Sequence, residues 1–230
     1  MRTATAWRLC VLAGLVAFVV SWGFGQIAGL APCGPTPGGL GSIIGFELAR
    51  TPAEIAAMFG AEPCRSRLAA AQIDGLWLDA LAFIPAYTAF LVLAAAAACR
   101  GWLRKAVVAM LLVAAIGDEI EGLVMAGIMR ALPGTVAQLG QLYWAVHIKF
   151  ALLALATALI GLAVLRGGSL LAALLGVVVW VGGMAAIYGF GHLPAPIMMT
   201  AFSYAWFALL ATAIAASFAP GLFAGRGSAR

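Results

Sequence analysis

The sequence predicts an all-α fold, a polytopic transmembrane helix bundle of about six spans, and three observations carry that prediction. Of the 230 residues, 65% are hydrophobic and only 9% are charged. Mean hydropathy is +1.09. Apolar stretches of about 20 residues, the length a helix needs to cross a hydrocarbon core of roughly 30 Å, recur along the chain. Eight acids, 13 Lys/Arg and two His cannot cover a water-soluble domain, which carries nearer a quarter charged residues. A soluble globular enzyme, a disordered chain and a disulfide-knotted secreted module are thereby excluded. The formal charge of +5 does not point to nucleic acid. Its basic residues stand singly between apolar stretches, as membrane topology signals do, with no basic patch and interleaved aromatics. The expected partner is the lipid bilayer.

The spans fall near 9–31, 76–99, 106–129, 143–165, 169–190 and 197–218. The first has a basic start and an Ala28–Ala31 segment like a signal-peptide cleavage region. Its apolar core exceeds the roughly 7–15 residues of a signal peptide, so a retained span is expected and a cleaved signal is the alternative. The second contains Pro85, which lacks a backbone donor and should kink the span or loosen its hydrogen-bond ladder. The fifth contains Gly176, Gly182, Gly183 and Gly189, which suit close helix approach or bending. With the N-terminus inside, Arg2, Arg8, Arg100, Arg104, Lys105, Arg166, Arg226 and Arg230 lie inside without any acid. Arg50, Arg65, Arg67 and Arg130 lie outside among Glu47, Glu54, Glu62 and Asp74. The positive-inside rule then predicts a bacterial inner-membrane protein with both termini cytoplasmic.

An extracytoplasmic insertion is expected over 32–75. It opens on turn formers, from Pro32 to Gly39. Thr51, Pro52 and Glu54 then supply a cap, an N1 proline and a capping box for a short helix from Pro52 to Phe59 that stops at Gly60. Cys33 and Cys64 are the two cysteines on the oxidising side, which makes them the expected disulfide; Cys10 and Cys99 should stay reduced at the inner ends of their spans.

Ionisable residues inside spans are costly and mark function by default. Here they form a buried ionisable network of Asp79, Asp118, Glu119, Glu121, Lys149 and His147, with Glu47, Tyr87 and His192 as support. Asp118 and Glu121, three residues apart, share a helix face, and Glu119 is turned about 100° away. Lys149 is the one basic residue deep enough to offset a buried acid. Depth favours Glu121 as its primary partner, with Asp79 as the competitor and Asp118 too central. No metal-ligand set and no cofactor is expected; haem held through His147 and His192 is the alternative, because imidazole is a common ligand.

The residues Phe46-Glu47-Leu48-Ala49-Arg50-Thr51, followed by Asp79, Phe83 and Tyr87, resemble a loose group of uncharacterised bacterial multi-pass membrane proteins. In that group a Phe-Glu-Leu-Ala-x-Thr segment precedes an Asp-x-x-Phe-x-x-x-Tyr-like span start. The resemblance covers about residues 43–95 and implies no activity; it directs attention to Glu47 and Asp79. The sequence leaves three functions open: a structural or assembly-type bundle held by a buried Asp/Glu–Lys network, which is the first reading; a proton-coupled or small-solute transporter; and a membrane enzyme acting on a lipid or quinone. Whether any turnover occurs stays open with them. A homo-oligomer or a membrane-protein partner is compatible with each. A polar cavity would favour the second and third over the first.

Overall fold

The computed structural model describes residues 3–223; Arg2, Arg226 and Arg230 of the charge argument lie outside the described residues. Among the described residues nine α-helices run in chain order: α1 (Thr3–Phe24), α2 (Ser42–Glu47), α3 (Pro52–Phe59), α4 (Cys64–Leu78), α5 (Ile84–Ala98), α6 (Gly101–Met129), α7 (Val136–Leu165), α8 (Leu170–Phe190) and α9 (Ile197–Phe218). A π-helical turn, Asp79–Phe83, joins α4 to α5. Among the described residues five helical stretches are long and apolar enough to cross a membrane: α1, the continuous run Cys64–Ala98, α7, α8 and α9. The 29 residues of α6 match them in length, but Asp118, Glu119 and Glu121 interrupt its apolar run.

Several helix bounds differ from the sequence reading; α1, α6 and α7 start earlier, at Thr3, Gly101 and Val136, and two differences are larger or change the insertion. The first long helix ends at Phe24 rather than near 31, because turns from Gly25 to Leu30 take over the backbone hydrogen bonds. The second starts at Cys64 rather than near 76. Its first turns carry Arg65, Arg67 and Asp74 and were therefore invisible to hydropathy, although they are helical. Before Pro85 the ladder widens: the Ile84 amide donates to the Asp79 carbonyl five residues back. This wider turn accommodates a ring that cannot donate, and such turns recur at functional sites.

The long helices close into a ring. Each of α5 to α9 packs on the next, and α1 completes the circuit against α5 and α9. Short reversals enforce this order, with Cys99 and Arg100 alone separating α5 from α6. The aromatic residues Trp22, Trp77 and Trp144 are exposed around the end that carries the insertion, and Trp102 is exposed at the opposite end. Amphipathic rings favour the two membrane–water boundaries in this way.

The insertion folds onto one end of the ring. Thr51 Oγ1 accepts from the Glu54 amide at 3.2 Å, and Glu54 Oε2 accepts from the Thr51 amide at 3.0 Å, so a capping box starts α3. Gly60, at φ +61, stops it. Ile55, Met58 and Phe59 are buried, with Phe59 edge-on to Phe46 of α2. Gln72 Nε2 donates to the Ser42 carbonyl at 2.9 Å and anchors the start of α2 to α4. The Cys33–Cys64 disulfide ties the opening of the insertion to the first residue of α4, while Cys10 and Cys99 are buried free thiols. Outside the spans, the Ser66 hydroxyl and amide both donate to Glu62 Oε2 and hold its carboxyl below the usual carboxylate range. This packing brings Glu47, the last residue of α2, into the ring.

Candidate functional site

Lys149 stands at the centre of the site, on α7, and is 3% exposed. Its ammonium lies 2.7 Å from Glu121 Oε2, 3.0 Å from Asp118 Oδ1 and 3.1 Å from Glu47 Oε2. Three carboxylates therefore face the three donors that an ammonium owns. The helix period puts Asp118 and Glu121 on one face of α6, and one ammonium serves both. Glu47 arrives from α2, 102 residues away in sequence. The Glu121 contact is ionic without hydrogen-bond alignment, since Glu121 Oε2 has no hydrogen-bond partner. On the other side, Tyr87 of α5 donates its hydroxyl to Asp118 Oδ2 at 2.7 Å. When every group is ionised, the cluster holds two more negative charges than positive ones. Protons or a second cation must close that difference, because unbalanced charge in a buried site is costly.

Over this cluster lies a cavity of about 300 Å³. Its polar surface comes from Glu47, Asp79, Tyr87, Asp118 and Lys149, and its walls include Phe18, Phe24, Phe83, Phe150, Phe202 and Trp206. The π-helical turn supplies Asp79 and Phe83, and α5 follows with Tyr87; spaced by four, all three line the cavity. Asp79 lines it without any hydrogen bond or ion pair among the described residues, whereas Asp118 and Glu47 are both held by Lys149. Ser21 of α1 and Ser203 of α9 are exposed lining residues, so the cavity reaches the protein surface at these two helices. One cation already rests on its aromatic wall: Lys149 Nζ is 4.4 Å from the Phe150 ring centroid.

The structure thus brings together Asp118, Glu121 and Lys149, with Tyr87 and Glu47 in direct contact, and places Asp79 in the same cavity. Three sequence expectations need correction. Asp118 is a full partner of Lys149, because α6 and α7 approach closely enough for one lysine to reach two carboxylates a turn apart. Asp79, the expected competitor, makes no contact with it. Glu119 is turned to the exposed face of α6 and does not enter the cluster.

His147 also stands apart. It is stacked on Tyr143 at 3.9 Å, and its Nδ1 lies 2.7 Å from the Tyr143 carbonyl. Its Nε2 meets Arg50 Nη2 at 3.3 Å. The tautomer that satisfies both contacts donates from Nδ1 and accepts at Nε2, so that nitrogen is engaged by a guanidinium that also covers Tyr143 at 4.3 Å. His192 lies in the exposed turn after α8, with Nδ1 2.8 Å from the Tyr188 carbonyl. Among the described residues no group of three or more His, Cys, Asp or Glu is placed to hold a metal ion.

Sequence reasoning had Glu47 as support and as a point of the resemblance, and missed that it is a direct partner of Lys149. Its signal was a single acid inside the apolar run Ile43 to Ala49 of an otherwise polar insertion. No protein-family model matches the chain, and neither does any curated protein or solved structure. The site itself therefore carries the functional argument: the protein is a polytopic membrane helix bundle with a buried Asp/Glu–Lys network.

Proposed function

We propose that the protein is a proton-linked carrier that binds a small lipophilic cation, such as a protonated amine, in the cavity between α1 and α9. One observation carries this reading: three carboxylates and one ammonium line an aromatic-walled cavity whose exposed lining residues, Ser21 and Ser203, lie on α1 and α9. Aromatic faces attract cations most strongly where water is excluded, and a surplus of carboxylate selects positive charge over neutral or anionic ligands. Asp79 is the acid available to the ligand, because Lys149 already occupies the others. Protons and cation neutralise the same surplus, so each displaces the other. The contacts of Lys149 also hold α2, α6 and α7 together, which is the packing role of the first sequence reading. The cavity gives that cluster something further to do.

The proposed setting is a bacterial inner membrane with six spans, α6 being the sixth. At 1.5 Å per residue a helix of its length reaches roughly 40 Å, and it reverses the chain between α5 and α7. Arg8, Arg100, Arg104, Lys105 and Arg166 gather at the end opposite the insertion, and this supports a cytoplasmic setting for that end under the positive-inside rule. Reporter fusions after Gly101 and Gly167 then read cytoplasmic, and a reproducible outside reading at either position reverses the orientation.

The binding test uses tetraphenylphosphonium, a lipophilic cation, with the purified protein in detergent. Binding tightens as pH rises, because protons compete for the same carboxylates. Asp79→Asn weakens it by about tenfold or more, as loss of one desolvated charge contact does, while the protein stays folded. Affinity that is unchanged by Asp79→Asn and flat with pH would sink the proposal. In liposomes a protonated amine too polar to cross the bilayer unaided drives counterflow of protons only when the protein is present, which separates a carrier from a binding protein.

A further inference from the structure

The opposite end of the bundle carries a second cavity, independent of the first, and its chemistry is of opposite sign. It encloses about 840 Å³ and is lined by Arg100, Arg104 and Arg166 together with Trp102, Leu103 and Phe223 among its apolar residues. Among the described residues no Asp or Glu lines it. The three arginines come from three places: the turn between α5 and α6, the first turn of α6, and the end of α7. The reversal after α5 and the ring order converge them. Among the described residues none of them forms an ion pair; every ion pair there belongs to Lys149. The start of α6 adds to the same field. Arg100 is its N-cap, no side chain caps it, and its first turn contains no acid. Its first amides therefore present unpaired donors and the positive end of a 29-residue helix. Trp102, 78% exposed beside the arginines, sets this level at the membrane–water boundary.

We infer that this cavity binds the phosphate of an anionic phospholipid in the leaflet on that side. The forked guanidinium matches phosphate oxygens two at a time. A helix N-terminus with open amides is an anion seat in its own right. The apolar half of the lining, Leu103, Trp102 and Phe223, suits the glycerol and first acyl carbons of a lipid better than a free ion in water. Basic pockets between membrane helices hold lipid head groups by this combination. Lys105 follows Arg104 in sequence but does not line the cavity, which makes it the control for general charge attraction.

The test is native mass spectrometry of the full chain in detergent with phosphatidylglycerol, phosphatidylcholine or inorganic phosphate added in turn. Wild-type protein retains phosphatidylglycerol in preference to phosphatidylcholine. Binding falls about fivefold for each arginine changed to glutamine, and about a hundredfold for Arg100→Gln, Arg104→Gln and Arg166→Gln together. Lys105→Gln leaves it within twofold of wild type. Thermal unfolding of each variant is measured in parallel, and the single variants carry the test should the triple variant fail to fold. Equal loss from Lys105→Gln, or retention of phosphatidylglycerol by the arginine variants, overturns the site. Inorganic phosphate competing as well as the lipid does would overturn the lipid as its occupant.

Discussion

Replacing Lys149 by methionine lowers the stability of the folded protein by about 3–5 kcal/mol, the cost of removing one side of a buried ion pair. The magnitude follows from what stays behind. Glu47, Asp118 and Glu121 are 5%, 5% and 2% exposed, and all three lose the one cation that holds them. Methionine fills the space of the lysine stem, so the loss reports charge rather than a cavity. Thermal unfolding in detergent at neutral pH measures it. Lys149→Met combined with Glu121→Gln recovers part of the loss, because one unbalanced carboxylate is gone. Double-mutant cycles then divide the network. Lys149 couples to Glu47, Asp118 and Glu121 by about 0.5–3 kcal/mol each, as direct partners do, and to Asp79 by much less. Additive losses at all three partner pairs would show that Lys149 and the acids stand near one another without interacting. Strong coupling to Asp79 would pair it with the ammonium and remove the acid assigned to the ligand.

How much of this site was legible depended on the sequence distance of each contact. Asp118 and Glu121 could be placed on one face from their spacing alone, and Lys149 follows from the scarcity of cations in apolar stretches. Depth then ranked Glu121 above Asp118: Glu121 is the nearest acid at 2.7 Å, but Asp118 is reached as well, at 3.0 Å, because a lysine stem covers more than the rise between two residues three apart. Glu47 was harder. Its role depends on α2 folding back over the ring, and a six-residue helix starting at Ser42 leaves no periodic pattern to read. The cavity was the least legible feature of all. Its lining comes from α1, α2, α5, α6, α7 and α9 together, Phe18, Phe24 and Phe202 among it, and no single helix records that gap.

The fold divides in the same way. Long apolar runs announced α7, α8 and α9 to within a few residues, apart from the first turns of α7. Thr135 and Gln138 form the capping box that starts that helix early, outside the hydrophobic window. The front of α4 was lost for a related reason, since charged residues on a helix that stands beyond the membrane lower hydropathy without ending the helix. The capping box at Thr51 and the glycine stop at Gly60 were legible because both are local chemistry. Ring closure by α1 against α5 and α9 was not, because nothing in the sequence of α1 names its neighbours.

The glycines of α7 and α8 allow a prediction of sign. Gly161 faces α8 so closely that an added Cβ would lie 2.3 Å from the Trp180 backbone nitrogen. The reciprocal contact is at Gly183, where a Cβ would lie 2.5 Å from the Ala158 nitrogen. What it meets in both cases is main chain, which cannot rotate away as a side chain does, so the helices themselves must separate. Alanine ordinarily improves a helix, by about 0.5–1 kcal/mol over glycine. Gly140 tests that ordinary effect in the same helix, because it is exposed and a Cβ there meets nothing within 4 Å. Gly140→Ala therefore stabilises the protein, whereas Gly161→Ala destabilises it by about 1–3 kcal/mol, the range for forcing extra atoms into a packed interface. The two sites are about 20 residues apart along α7, so their effects add in the double variant. Membrane helices have little hydrophobic force to draw them together, and backbone approach at small residues supplies much of the attraction. Loss of that approach therefore loosens α8 from the ring, and thermal unfolding of the three variants in detergent checks it. A stabilising Gly161→Ala would mean that α7 and α8 are free to move apart at no cost, and close packing there would not be what holds the ring.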